Sequence, residues 1–98
     1  MYATVIKWKM KSGHEDETKA TASNILEGLK GVKGFVSAVI YSDEEMNEWG
    51  RTTVWETEED QSAYRDSIPS ERREAAMALA DGPIEIKRYN VVGYVTAD

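Results

Sequence analysis

Arg51 is the residue of this chain with the clearest chemical potential. It lies in the run Trp49-Gly50-Arg51-Thr52-Thr53-Val54-Trp55, which is rich in aromatic and β-branched residues. Strand alternation puts Trp49, Arg51, Thr53 and Trp55 on one face. A guanidinium on such a face is costly to bury unless it is paired or snorkels to solvent. It is therefore either the salt-bridge partner of one of the many carboxylates or an anchor for an anionic or phenolate ligand. Trp8 and Trp55 are each either core residues or aromatic walls of a pocket. Tyr64 either packs its ring with the hydroxyl at a rim or donates a hydrogen bond to a ligand oxygen.

His14 is the only histidine, and Glu15, Asp16 and Glu17 follow it. Adjacent residues at a helix start point in different directions and do not converge on one ion as an i, i+4 pair does, so no metal site is expected. Asp43, Glu44 and Glu45 read as a solvated hairpin tip. There is no Gly-rich phosphate loop, Ser-His-Asp set or basic aromatic patch. With no cysteine, disulfides, thiolate metal sites and cysteine nucleophiles are excluded together.

At 98 residues the chain is the size of one domain, 1–98, so an active site must lie within one core or between subunits. A hydrophobic fraction of 41% beside 31% charged residues describes a packed core under a solvated surface. The net charge of -6 repels a phosphate backbone, so no nucleic-acid partner is expected. Met1 to Lys9 reads as a strand rather than a signal peptide, and no apolar run reaches the roughly 20 residues of a membrane span. The expected location is cytoplasmic, with no membrane partner.

The elements that must position the candidates follow in order. Tyr2, Ile6, Trp8 and Met10 share one parity of a first strand, and a turn at Lys11-Ser12-Gly13 leads to a helix opened by carboxylates. Thr18, Ala22, Ile25 and Leu29 form its apolar stripe, Leu26 broadens it, and Gly31 and Gly34 end it. Strands over Phe35 to Ser42 and Glu48 to Glu56 make a hairpin with a loop of about five residues. Thr57 caps a second helix to Ser67, Pro69 breaks it, and Ser70 is a candidate cap for a further piece through Ala80. A last strand starts near Ile84. Its apolar parity switches between Ile86 and Tyr89, which predicts either a bulge near Arg88 to Asn90 or a tail that leaves the sheet.

The order β-α-β-β-α-β predicts an α+β, ferredoxin-like domain with a four-stranded antiparallel sheet and both helices on one face. The central strands are apolar on both faces, and the simplest cover for the second face is another copy. A homodimer through the sheet face and the C-terminal strand is expected, with the tail from Val91 to Asp98 contributing.

Gly34-Phe35 through Tyr41, followed by Thr53-Val54-Trp55-Glu56-Thr57-Glu58-Glu59, resembles the antibiotic-biosynthesis-monooxygenase family. The resemblance implies a dimeric α+β barrel with a pocket in each subunit between sheet and helices. Haem-degrading members carry an Asn, a Trp and a His at the places held here by Ile6, Tyr64 and Glu74, so haem degradation is not expected. Cofactor-free quinone-forming members share the Trp at Trp55, but carry an Asn and a Tyr where this chain has Arg51 and Gln61. The resemblance thus implies a small cofactor-independent, monooxygenase-like enzyme acting on an aromatic or polyketide-like compound. The alternative is a non-catalytic dimeric small-molecule-binding or structural domain. The pocket candidates are Ile6, Trp8, Arg51, Trp55 and Tyr64, with a small aromatic ligand and no cofactor.

Overall fold

Four strands and three helices account for the chain in a computed structural model that describes residues 1–97. Asp98, the last residue of the expected domain and tail, lies outside the described residues. The strands are β1 (Tyr2–Lys9), β2 (Phe35–Asp43), β3 (Glu48–Trp55) and β4 (Glu85–Asn90). The helices are α1 (Glu15–Leu29), α2 (Glu58–Ser67) and α3 (Ser70–Leu79). The sheet is antiparallel in the order β2-β3-β1-β4, so the two strands that carry tryptophans lie at its centre.

Register converts the sequence parities into rows that cross the sheet. Ile40, Arg51, Ile6 and Ile86 form one row, and Ala38, Thr53, Thr4 and Arg88 form the next. Trp49 faces Trp8, and Trp55 faces Tyr2. These residues share the helix-facing side, where Tyr2, Thr4, Trp49, Thr53 and Trp55 are buried. Val5, Val39, Thr52 and Tyr89 lie on the opposite face, with Tyr41 packed over Gly50 at the place a Cβ would occupy. The Tyr41 hydroxyl lies 2.9 Å from Thr52 Oγ1, which holds the ring flat against this outer face. Outer residues Val39 and Tyr89 are 54% and 50% exposed, an apolar surface that no element of this chain covers.

The helices start and stop for local reasons. Thr57 Oγ1 accepts from the Asp60 N–H at 3.1 Å and caps α2. Thr18 and Leu29 of α1 are buried, whereas Leu26 is 37% exposed and lies outside the buried stripe. Ser70 does not cap α3: Pro69 holds that position without a side-chain bond, and Ser70 is the first helical residue. Its fixed φ suits Pro to the edge of a helix, and the lost N–H has no intrahelical partner there. The helix ends at Leu79, because Ala80 forms an antiparallel bridge with Met10.

The expected bulge near Arg88 to Asn90 is absent, since β4 pairs with β1 in unbroken register from Glu85 to Asn90. The sheet bulges instead between Phe35 and Ser37 of β2. The apolar parity switches because Ile86 faces the helices and Tyr89 the outer face of the same unbroken ladder; the tail does leave the sheet after Asn90, where Val91 N–H bonds to the Met1 carbonyl at 2.9 Å. The tail then runs on in no regular element, with Val92 and Val95 fully or almost fully exposed.

Gly34 joins the hairpin to α2. Its φ is +78°, its carbonyl accepts from Glu56 N–H at 2.8 Å, and the Asp60 side chain fills the space that a Cβ would need. Gly34→Ala is expected to lower stability by about 1 to 2 kcal/mol from the left-handed conformation, with a further loss from displacing Asp60. Urea denaturation checks this, and an unchanged midpoint would show that the turn relaxes freely.

Candidate functional site

Between the sheet and the three helices lies a cavity of about 330 Å³. Its floor is the helix-facing side of the sheet, including Thr4, Ile6, Trp8, Arg51 and Trp55. α1 supplies an apolar wall through Ala22, Ile25 and Leu29. α2 presents Gln61, Tyr64 and Arg65, which recur at i, i+3 and i+4 and therefore share one face, and its C-cap Ile68 also lines the cavity. That inward face is unusually polar for a helix packed on a sheet. α3 contributes Arg73, Ala76 and Met77, although none of its residues is buried. Met77 and Ile86 are 63% and 47% exposed, so the cavity opens between α3 and β4.

Trp55 closes one end. It is 1% exposed, meets Phe35 edge-on at 5.6 Å, and lies 5.3 Å from the Tyr64 ring at a tilt of 35°. Its indole N–H donates to Thr53 Oγ1 at 3.2 Å. Trp55 therefore offers a ligand an apolar wall, its one donor being already engaged.

Arg51 has no such partner. No carboxylate among the described residues lies within ion-pair distance of it, and its Nε is buried without a hydrogen bond. Burial pushes the guanidinium below its ordinary pKa, and the nearby Tyr64 phenol partly opposes this. An arginine remains charged even so. Ile6 and Ile40 lie directly opposite it on the neighbouring strands, so no cross-strand group can neutralise it. One strand row away, Thr4 is 3% exposed and its Oγ1 is also buried without a partner. Two orphaned polar atoms on one apolar face are what a ligand with oxygen acceptors would satisfy.

All five sequence candidates line this one cavity: Ile6, Trp8, Arg51, Trp55 and Tyr64. Ile6 and Arg51, which hold the two strand places where the haem-degrading and quinone-forming subgroups have Asn, face each other across β1 and β3. Glu74 is absent from the lining. Sequence reasoning passed over Thr4 and named Gln61 only as a departure from the family pattern, not as a pocket residue. Thr4 was legible as the polar exception among Tyr2, Ile6, Trp8 and Met10, and Gln61 as the first residue of the inward face of α2. His14 lies away from the cavity, with its Nδ1 3.3 Å from Glu17 Oε1, and no cluster of three His, Asp or Glu metal ligands occurs among the described residues.

The profile of the antibiotic biosynthesis monooxygenase family matches residues 1–78. The chain belongs to this family. A candidate antibiotic biosynthesis monooxygenase from Deinococcus radiodurans superposes with a TM-score of 0.83 at 12% identity, covering 100% of this chain and 99% of that one. SnoaB, a cofactor-independent oxygenase from Streptomyces nogalater solved as a mutant, gives 0.80 at 13% identity, covering 96% and 95%. A mutant of MhuD with two manganese protoporphyrin IX molecules bound per active site gives 0.74 at 16% identity, covering 99% and 100%. Such identities establish a shared fold alone, and no curated protein matches in sequence. The family fold thus supplies the ferredoxin-like frame, and the cavity's own side chains set its chemistry.

Arg51→Met keeps an unbranched apolar stem and removes an unsatisfied buried donor. It is expected to raise stability by about 1 to 3 kcal/mol, the cost of leaving such a group unpaired. Urea denaturation of the two proteins tests this. A less stable variant would mean that Arg51 has an internal partner after all.

Proposed function

We propose that this chain is a small oxygenase-like enzyme that binds a flat phenolic or anionic aromatic compound between sheet and helices. The observation that carries the reading is the unpaired Arg51 guanidinium on the floor of an aromatic, largely apolar cavity. Aromatic walls favour a planar ligand, and a single deep cation fixes its orientation through an oxygen anion. A sugar or a phosphate suits this lining less well.

No His, Asp, Glu or Lys lines the cavity among the described residues. A side chain that takes a proton at neutral pH is therefore missing, and Arg51 acts on the ligand by holding its anionic form. A charge-assisted bond from the guanidinium stabilises a phenolate or enolate, which is the electron-rich form that can reduce O2. In the overall change a ring methylene and O2 become a carbonyl and water. The substrate supplies both hydrogens and the electrons, one oxygen atom enters the carbonyl, and the other leaves as water. The same lack of a proton acceptor also supports the second reading, a dimeric domain that binds such a compound without turning it over.

The exposed outer face supports the expected homodimer. Val39 and Tyr41 at the β2 edge and Tyr89 at the β4 edge are exposed apolar residues there, and Val92, Tyr94 and Val95 are exposed on the tail. A second copy packed on this face would bury them and leave the cavity open. Equilibrium sedimentation at micromolar concentration is expected to give twice the 11.0 kDa chain mass. Deleting Val91 to Asp98 is expected to weaken the dimer, and a monomer in the intact protein would overturn the assembly.

Binding and turnover are separated by titrating anthrone-type compounds and hydroquinones while following tryptophan fluorescence and O2 uptake. Arg51→Ala is expected to weaken binding about ten-fold or more, from loss of a charged hydrogen bond worth roughly 1.5 to 3 kcal/mol. Quenching with no O2 uptake would select the binding domain, and equal affinity in the variant would remove Arg51 from the site.

A further inference from the structure

The cavity is charged against the trend of the whole molecule. The chain carries 18 Asp and Glu against 12 Lys and Arg, yet its cavity is lined by Arg51, Arg65, Arg73 and Arg88 and by no described carboxylate. No lysine lines it either, although the chain has more lysines than arginines. Selection of arginine alone is informative, because its planar fork binds a carboxylate through two parallel bonds and a lysine binds it only as a point charge.

These arginines stand at two depths. Arg51 lies on the floor, in the row between Ile40 and Ile6. Arg65, Arg73 and Arg88 are exposed lining residues from α2, α3 and β4. Arg65 follows Tyr64 on the inward face of α2. Arg73 donates from Nη2 to the Arg65 carbonyl, which holds the start of α3 against the end of α2. Arg88 lies in register with Thr4, the buried hydroxyl without a partner. Among the described residues neither Arg73 nor Arg88 has a carboxylate within 4.0 Å, and Arg65 has only an exposed contact to Asp66 at 3.6 Å. An exposed ion pair of that kind contributes little and is readily exchanged for a better partner.

We infer that the ligand is acidic at two ends, with one anionic group on Arg51 at the floor and a carboxylate-like group held at the mouth by Arg65, Arg73 and Arg88. This rests on the proposed use of Arg51 as the floor anchor and adds the second contact. Three cations along the lining of an apolar opening would create a positive local field on an acidic protein, which draws in a dianion that the surface elsewhere repels. The aromatic middle of the ligand then spans Ile6, Trp8 and Tyr64. A neutral polycyclic compound would leave the buried Arg51 guanidinium without a partner and make no use of the arginines at the mouth.

The test compares 2-naphthoate with naphthalene-2,6-dicarboxylate and biphenyl-4,4′-dicarboxylate, two spans between the acidic ends, by tryptophan quenching at low ionic strength. At least one dicarboxylate is expected to bind about ten-fold more tightly than 2-naphthoate, with an affinity that falls more steeply with KCl. In Arg65→Gln/Arg88→Gln this margin is expected to vanish, while 2-naphthoate affinity stays within about two-fold and the circular dichroism spectrum is unchanged. If neither dicarboxylate exceeds the monoacid, or if the margin survives the double substitution, the contact at the mouth is wrong. The floor anchor is tested separately by 2-naphthoate on Arg51→Ala. Unchanged affinity there overturns the floor reading and this inference with it, whereas a lost margin at the mouth with an intact Arg51 effect overturns only this inference.

Discussion

A guanidinium on the apolar face of an antiparallel sheet, between two tryptophans of its own strand, is held there against the free energy of its desolvation. Arg51 cannot withdraw, because β3 is a central strand paired on both sides and its register fixes Ile40 and Ile6 beside the charge. The rest of the layer answers this constraint. A fully apolar helix face laid over Arg51 would bury the charge completely, and α2 instead turns the polar Gln61 and Tyr64 into the cavity. α3, which follows the break at Pro69, keeps none of its residues buried. The unpaired cation thus stands on the floor of an open volume between sheet and helices.

Holding that space open requires a rigid end, and Trp55 provides it. Its ring is fixed by Phe35 on one side and Tyr64 on the other, and its N–H by Thr53. The same corner carries the Thr57 cap and the Gly34 carbonyl that receives Glu56 N–H. Strand end, helix start and hairpin entry are therefore tied at one point, and α2 enters over the cavity at a set angle. Tyr64 is positioned by packing on Trp55, so a ligand that meets its ring meets a surface already ordered. Preorganised walls of this kind reduce the ordering cost of binding.

Much of this was legible because strand parity carries over directly into three dimensions. Once Trp49, Arg51, Thr53 and Trp55 were read as one face, the antiparallel register could only bring them beside the Tyr2-Ile6-Trp8 parity of β1. Helix order and the Pro69 break followed from local chemistry in the same way. What failed was information that parity does not contain. Parity does not say where an edge strand slips against its neighbour: the irregularity fell in β2 at Phe35 to Ser37, while β4 keeps its register until the tail leaves the sheet, the other outcome that the pattern allowed. Ser70 has the chemistry of a cap, but the preceding proline already holds the capping position in extended conformation. Thr4 was hidden because one small polar residue does not disturb an apolar pattern, and its importance appears only when its hydroxyl is found buried without a partner. The state of Arg51 was equally beyond the sequence, since 18 acidic residues offered many conceivable partners.

The two faces of the sheet are joined most closely in β4, where Arg88 belongs to the cavity lining and its neighbour Tyr89 to the outer face. All six residues of this strand are exposed, and it pairs with β1 alone. A slip of one residue would exchange Arg88 and Tyr89 between faces, and an edge strand with little buried surface resists such a slip only weakly. In the proposed assembly a second copy covers Tyr89 and so fixes the register of β4. That would in turn fix Arg88 at the mouth of the cavity. Assembly on one face and ligand capture on the other would then be coupled through a single pair of adjacent residues, with no change of fold required.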